Sequence, residues 1–177
     1  METALVVIDV QVGVVESAHD AAGVLERIRQ LQDRARAAGV PVVHVQHHDP
    51  DGVGSPLEQG KPAWEIHPTV APAAGEPVVH KMQCDSFHET DLQQVLGRLG
   101  ARRLVIAGCQ TDYCVDTSCR RAVTLGYSVT LAADAHSTVG NGVLTAEQII
   151  AHHNQTLRGF GSEEAHIRVV PAAEIEL

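Results

Sequence analysis

Aromatic residues are scarce in this chain: one Trp, two Tyr and two Phe make up 3% of 177 residues. The core must therefore rely on Val, Leu, Ile and Ala, and an aromatic beside a candidate site stands out. A stripe of basic side chains is also missing. The 22 Asp and Glu against 13 Lys and Arg give a formal net charge of −9, which argues against nucleic acid or an anionic membrane as the main partner. No apolar run approaches the roughly 18 residues a membrane span needs. Met1 leads straight into a strand-like run, with neither a basic leader nor a small-residue cleavage site, so a cytoplasmic protein is expected. The four cysteines, Cys84, Cys109, Cys114 and Cys119, form no C-x-x-C pair. That spacing does not converge on a zinc ion, and in a reducing compartment disulfides are not expected. No G-x-G-x-x-G follows the first apolar run, so neither NAD nor flavin is expected as a cofactor.

What is present is an alternation of strand and helix patterns. Ala4 to Ile8 is a continuous apolar run ending at Asp9, which reads as a strand buried on both faces. Ala21, Val24, Leu25, Ile28, Leu31 and Ala35 then fall on one helical face, closed by Gly39. Val40 to Val45 and Val78 to His80 predict two more strands. Between them runs a polar, Pro- and Gly-rich stretch too long for a plain connector, the kind of loop that carries function. A helix over Leu92 to Leu99, a strand over Leu104 to Ala107 and a helix through Val115 to Val123 follow. Tyr127 to Ala132 predicts a fifth strand with Asp134 at its end, and a helix that Thr145 could cap carries Ile149 to Leu157. His166 to Val170 supplies a sixth strand. The pattern predicts a single domain over 1–177: a three-layer αβα sandwich with a doubly wound, mostly parallel six-stranded sheet.

In such a sheet ligands bind beyond the carboxyl ends of the strands. Asp9 ends the first strand, Lys81 follows the third and Cys114 lies just after the fourth, so topology brings the three to one crevice. Cys114 is expected at a helix start, where free N–H groups and a neighbouring Lys81 ammonium lower a thiol pKa. Asp9 opposes that shift, but it can take the thiol proton and return it to a leaving amine. Each residue also has an ordinary structural role open to it: a cap for Asp9, a surface charge for Lys81, a small buried hydrophobe for Cys114.

Three blocks resemble the isochorismatase-like cysteine hydrolase superfamily, specifically its nicotinamidase-related, streptothricin hydrolase-like branch. Ala4-Leu5-Val6-Val7-Ile8-Asp9-Val10-Gln11 is similar to the opening strand with its catalytic Asp and following Gln. Val78-Val79-His80-Lys81 is similar to the strand that delivers the catalytic Lys. Gly108-Cys109-Gln110-Thr111-Asp112-Tyr113-Cys114-Val115 resembles the nucleophile loop, G-x-x-T-x-x-C-V. The resemblance implies catalytic Asp9, Lys81 and Cys114, a cis Cys109–Gln110 peptide, and an oxyanion hole made by the Gln110 and Cys114 N–H groups. Gly60 to Pro68 resembles the lid of the family, which places Trp64 at the pocket together with Gln11, Phe87 and Tyr113 as substrate-binding residues. Homodimers or homotetramers are implied by the resemblance alone.

Departures from the family pattern are informative. Nicotinamidases carry Asp-x-His after the second strand and a further His downstream as metal ligands. Here the order is reversed, as His47 and Asp49, and no His stands near Pro56, so no metal is expected. The family's vinyl-ether-cleaving isochorismatases lack the nucleophilic cysteine, so by the resemblance Cys114 implies C–N hydrolysis of a small-molecule amide or lactam. Two alternatives remain open on the sequence: an isochorismatase-type ether hydrolase, and a non-catalytic α/β interaction module.

Overall fold

The protein is described by a computed structural model over residues 3–177. Six strands, β1 Thr3–Ile8, β2 Val42–His47, β3 Val78–Lys81, β4 Arg103–Cys109, β5 Ser128–Ser137 and β6 Ile167–Val170, form one sheet. Their order is β3-β2-β1-β4-β5-β6, and every neighbouring pair is parallel. Five helices accompany them: α1 Val12–Val15, α2 Ala21–Ala37, α3 Leu92–Arg98, α4 Asp116–Thr124 and α5 Ala146–Leu157.

The layering follows from side-chain alternation along buried strands. Ala4, Val6 and Ile8 of β1 face one apolar cluster, which α3 and α4 close with Leu92, Val95, Leu96, Cys119 and Ala122. Leu5 and Val7 face the opposite cluster, closed by Val24, Leu25, Ile28, Leu31 and Ala35 of α2. The apolar stripe of α2 is the one its 3.6-residue pattern predicted, and Gly39 beyond its end takes φ 68, a conformation glycine adopts without steric cost. Thr145 caps α5 in a reciprocal capping box with Gln148.

The crossovers run outward in both directions from β1 and β4, so the carboxyl ends of these two strands diverge into a crevice. Close packing there depends on Gly108, which takes φ 127; a Cβ at this position would lie 2.0 Å from the Ile8 carbonyl oxygen. Gly108→Ala is expected to force β4 off β1 and cost about 2–3 kcal/mol or more, read as a lower midpoint in urea unfolding.

The expected parallel sheet is parallel in every neighbouring pair. One strand differs from the sequence reading: β5 runs on to Ser137 instead of stopping near Ala132. The β4–β5 register jumps from Ile106↔Leu131 to Gly108↔His136, a bulge that inserts extra residues on β5 and hides the strand from period-2 reading. Asp134 sits in that bulge, accepting from the Ala172 N–H at 2.7 Å, rather than at the crevice.

Candidate active site

Three neighbouring strands and one turn deliver the polar groups of the crevice. Asp9 follows β1 with φ 50, a left-handed backbone that a non-glycine residue holds only where its surroundings enforce it. Its N–H bonds to the Val45 carbonyl at 2.9 Å. Lys81 is the last residue of β3 and pairs in register with His47, the last of β2. Cys114 lies in Thr111–Val115, one turn of wide helix in which the Val115 N–H reaches back to the Gln110 carbonyl at 3.1 Å. Such a turn displaces side chains from regular α-helical positions and recurs at functional sites; α4 continues directly from it.

These residues meet. Lys81 Nζ lies 2.6 Å from Asp9 Oδ2 and 3.2 Å from Cys114 Sγ. Asp9 and Lys81 are each 2% exposed, so their charges hold each other in a desolvated setting. Burial would pull the Lys81 ammonium down, but the Asp9 carboxylate and the Cys114 sulfur outweigh it and its pKa stands above that of an ordinary lysine. The Cys114 thiol moves well up: burial and the Asp9 charge raise it more than Lys81 lowers it. This reverses the sequence-based expectation of a depressed thiol. Burial and the Asp9 charge thus hold the Cys114 thiol toward its neutral form beside the Lys81 ammonium. Asp9 Oδ1, buried and without a hydrogen-bond partner, is the free acceptor of the cluster.

The Cys109–Gln110 peptide is cis. A cleft of about 310 Å³ opens over the sulfur, lined by Asp9, Gly13, Val14, His47, Leu57, Cys84, Gln110, Tyr113 and Cys114. A buried network fixes the nucleophile turn from behind. Asn154 donates from Nδ2 to the Ala133 carbonyl at 2.9 Å, which leaves its Oδ1 to accept from His136 Nε2 at 2.9 Å. His136 Nδ1 then accepts from the Thr111 hydroxyl at 2.8 Å. Burial pushes the His136 pKa down from 6.5 to about 4, against the opposing Asn154 hydrogen bond. Since the folded value lies below the unfolded one, this stabilisation is complete above pH 6.5 and is lost as pH falls toward about 4. The loss reaches about 3 kcal/mol. His136→Asn should flatten that part of the stability profile, measured by urea unfolding at pH 7.5 and pH 4.5.

The Isochorismatase domain matches residues 3–149. The chain belongs to the isochorismatase family. It is 41% identical over 139 residues to a streptothricin hydrolase of Streptomyces noursei, covering 76% of this chain and 49% of that protein. It is 31% identical to a ureidoacrylate amidohydrolase of Agrobacterium fabrum, covering 78% and 77% of the two chains. A solved isochorismatase family protein superposes with a TM-score of 0.85 at 30% identity, covering 95% of this chain and 97% of that one. The chain spans about half the length of the streptothricin hydrolases it matches.

Within this isochorismatase-family site, the substrate-binding residues expected from sequence divide. Tyr113, 54% exposed, lines the cleft. Gln11, Trp64 and Phe87 do not. Gln11 is fully buried, its amide donating to the His47 and Trp64 carbonyls at 2.8 Å each while its Oε1 accepts from the His47 N–H at 2.9 Å. Trp64 stacks on His80 with ring centroids 5.9 Å apart, and Phe87 stacks on Tyr127 at the same separation, against the α3–α4 core. Each is held by a structural partner. His47 and Asp49 bond to each other, Nε2 to Oδ1 at 3.2 Å. Among the described residues no group of three or more His, Cys, Asp or Glu is arranged to hold a metal, and no helix is long and apolar enough to cross a membrane. Leu57 of the long loop and Cys84 just beyond β3 line the cleft wall; neither had a sequence signal, because local pattern does not reveal which loop residues fold back over the sulfur.

Proposed function

We propose that the chain is a cysteine amidohydrolase, a single-domain enzyme that cleaves the C–N bond of a small amide or lactam through a Cys114 thioester. The carrying observation is the contact chain from Asp9 through Lys81 to Cys114, buried at one end and open to the cleft at the other. The family membership and the amide-hydrolysing relatives support the same reading.

In this mechanism the thiol proton passes to Asp9 as Sγ bonds to the substrate carbonyl carbon. The site keeps zero net charge, because the thiolate character that develops is matched by the retained Lys81 ammonium. The oxyanion is held by the Gln110 and Cys114 N–H groups at the start of the nucleophile turn. Collapse breaks the C–N bond, and Asp9 returns the proton to the departing nitrogen. Water then attacks the thioester, giving its proton to Asp9, and the acid product leaves with the thiol restored. The sequence of steps uses no metal, so activity should be indifferent to a chelator. Tyr113, Val14 and Leu57 form the apolar side of a wall that takes a compact substrate.

The test is rapid quenching of a turning-over reaction, followed by intact-protein and peptide mass spectrometry. An acyl adduct on Cys114 is expected. Turnover without any adduct, in a protein whose Cys114→Ala variant keeps its rate, would transfer the reaction to ether-type hydrolysis.

A further inference from the structure

The Lys81 ammonium has three N–H bonds to place, and Asp9 and Cys114 account for two. The third faces His47 Nδ1 at 3.4 Å. An ammonium can only donate, so Nδ1 must offer a lone pair and the imidazole proton must sit on Nε2. That nitrogen meets Asp49 Oδ1 at 3.2 Å, a carboxylate that accepts it and selects the same tautomer. The other Asp49 oxygen accepts from the Ser55 hydroxyl, while the Leu57 N–H bonds to Ser55 Oγ at 3.1 Å. The backbone of His47 is held as firmly: Gln11 clamps both its N–H and its carbonyl, and strand register sets it beside Lys81.

Resting on the hydrolase reading above, we propose that His47 is a positioning residue for the reaction: its neutral Nδ1 completes the hydrogen bonding of Lys81 and, through Asp49 and Ser55, ties the ammonium to the loop that carries Leu57 into the cleft wall. The assignment has two chemical consequences. With all three N–H bonds occupied, Lys81 has none left for substrate, so its role is to hold the sulfur and the Asp9 carboxylate at fixed separation. Without the third acceptor the ammonium can swing about its long flexible stem, and an error of about 1 Å at a reacting centre costs up to about a hundredfold in rate. The reversed His47 and Asp49 pair is thereby given a use that involves no metal. It also explains why Gln11 is buried: it fastens the residue that fastens Lys81.

The test compares wild type with His47→Leu, His47→Asn and Asp49→Ala. Asn places an amide oxygen close to where Nδ1 stood, so it restores an acceptor that Leu lacks. The first readout is the rate of iodoacetamide labelling, resolved by peptide mass spectrometry so that Cys114 is separated from Cys84. The second is the division of any catalytic loss between kcat and KM. His47→Leu should slow Cys114 labelling and kcat about tenfold or more, with KM little changed. His47→Asn should recover most of both, and Asp49→Ala should fall between. Equal labelling and kcat in all four proteins, or an Asn variant no better than Leu, overturns the proposal. Should Leu fail to fold by circular dichroism, Asn and Asp49→Ala still decide, since Asn keeps a polar group at the end of β2 and Asp49 is only partly buried. A Cys114→Ala variant that keeps the wild-type rate overturns the hydrolase reading instead, a result distinct from equal rates among the His47 and Asp49 variants.

Discussion

Cys114→Ala should lower amide hydrolysis by at least about a thousandfold while leaving the fold in place. The magnitude follows from what is removed: with no sulfur there is no acyl intermediate, and the Asp9–Lys81 pair has nothing left to activate. The fold should tolerate the change because Cys114 reaches the cleft rather than a closed core, and its loss leaves the Lys81–Asp9 contact of 2.6 Å untouched. A screen of small amides and lactams with wild type and variant measures both points, alongside a melting curve. A variant that keeps its rate on a true substrate would remove the sulfur from the mechanism. Binding without turnover is the expected outcome, because the cleft wall is unchanged.

Lys81→Met should be among the most destabilising single changes in the chain, by about 3–5 kcal/mol. Among the described residues the ammonium is the one opposite charge in contact with a carboxylate that is 2% exposed. Its loss strands that carboxylate, whose Oδ1 already lacks a partner, in a desolvated setting. Asp9→Asn combined with Lys81→Met removes both charges and should regain at least half of the loss, although neither protein should turn over. Chemical denaturation of the three proteins gives the comparison; a single variant as stable as wild type would mean that the pair is not electrostatically coupled. The pH dependence has a definite sign. Lys81 titrates above the ordinary 10.5, so the stabilisation from its charge is complete below that value and fades only as pH climbs through the raised one.

The parts of the site legible in the sequence are those carried by strand ends. Asp9, Lys81 and Cys114 each terminate or follow an apolar run, and in a parallel sheet that position alone fixes which rim they share. The resemblance in G-x-x-T-x-x-C-V marked Thr111 without a role. Tertiary structure supplies one: its hydroxyl bonds to His136, which arrives from β5 only because the bulge carries that strand beyond its apparent end. Gln11, Trp64 and Phe87 were expected at the substrate because the resemblance to the family's opening strand and lid implied it. Whether such a side chain faces a cleft or a neighbour depends on contacts more than thirty residues away, such as Gln11 with His47 and Phe87 with Tyr127. Local pattern carries no trace of them.

Hydrophobic period and the placement of Gly, Asp and Lys determined by themselves the order of elements, the two-faced burial of the sheet and the edge at which polar groups gather. These properties depend on near neighbours in sequence and on the general handedness of β-α-β crossovers. Only the tertiary structure decided the charge state of the sulfur, the tautomer of His47 and the composition of the cleft wall. Each of those is set by desolvation and by hydrogen bonds between strands and loops distant along the chain, where separations of a few tenths of an ångström determine which group carries the proton.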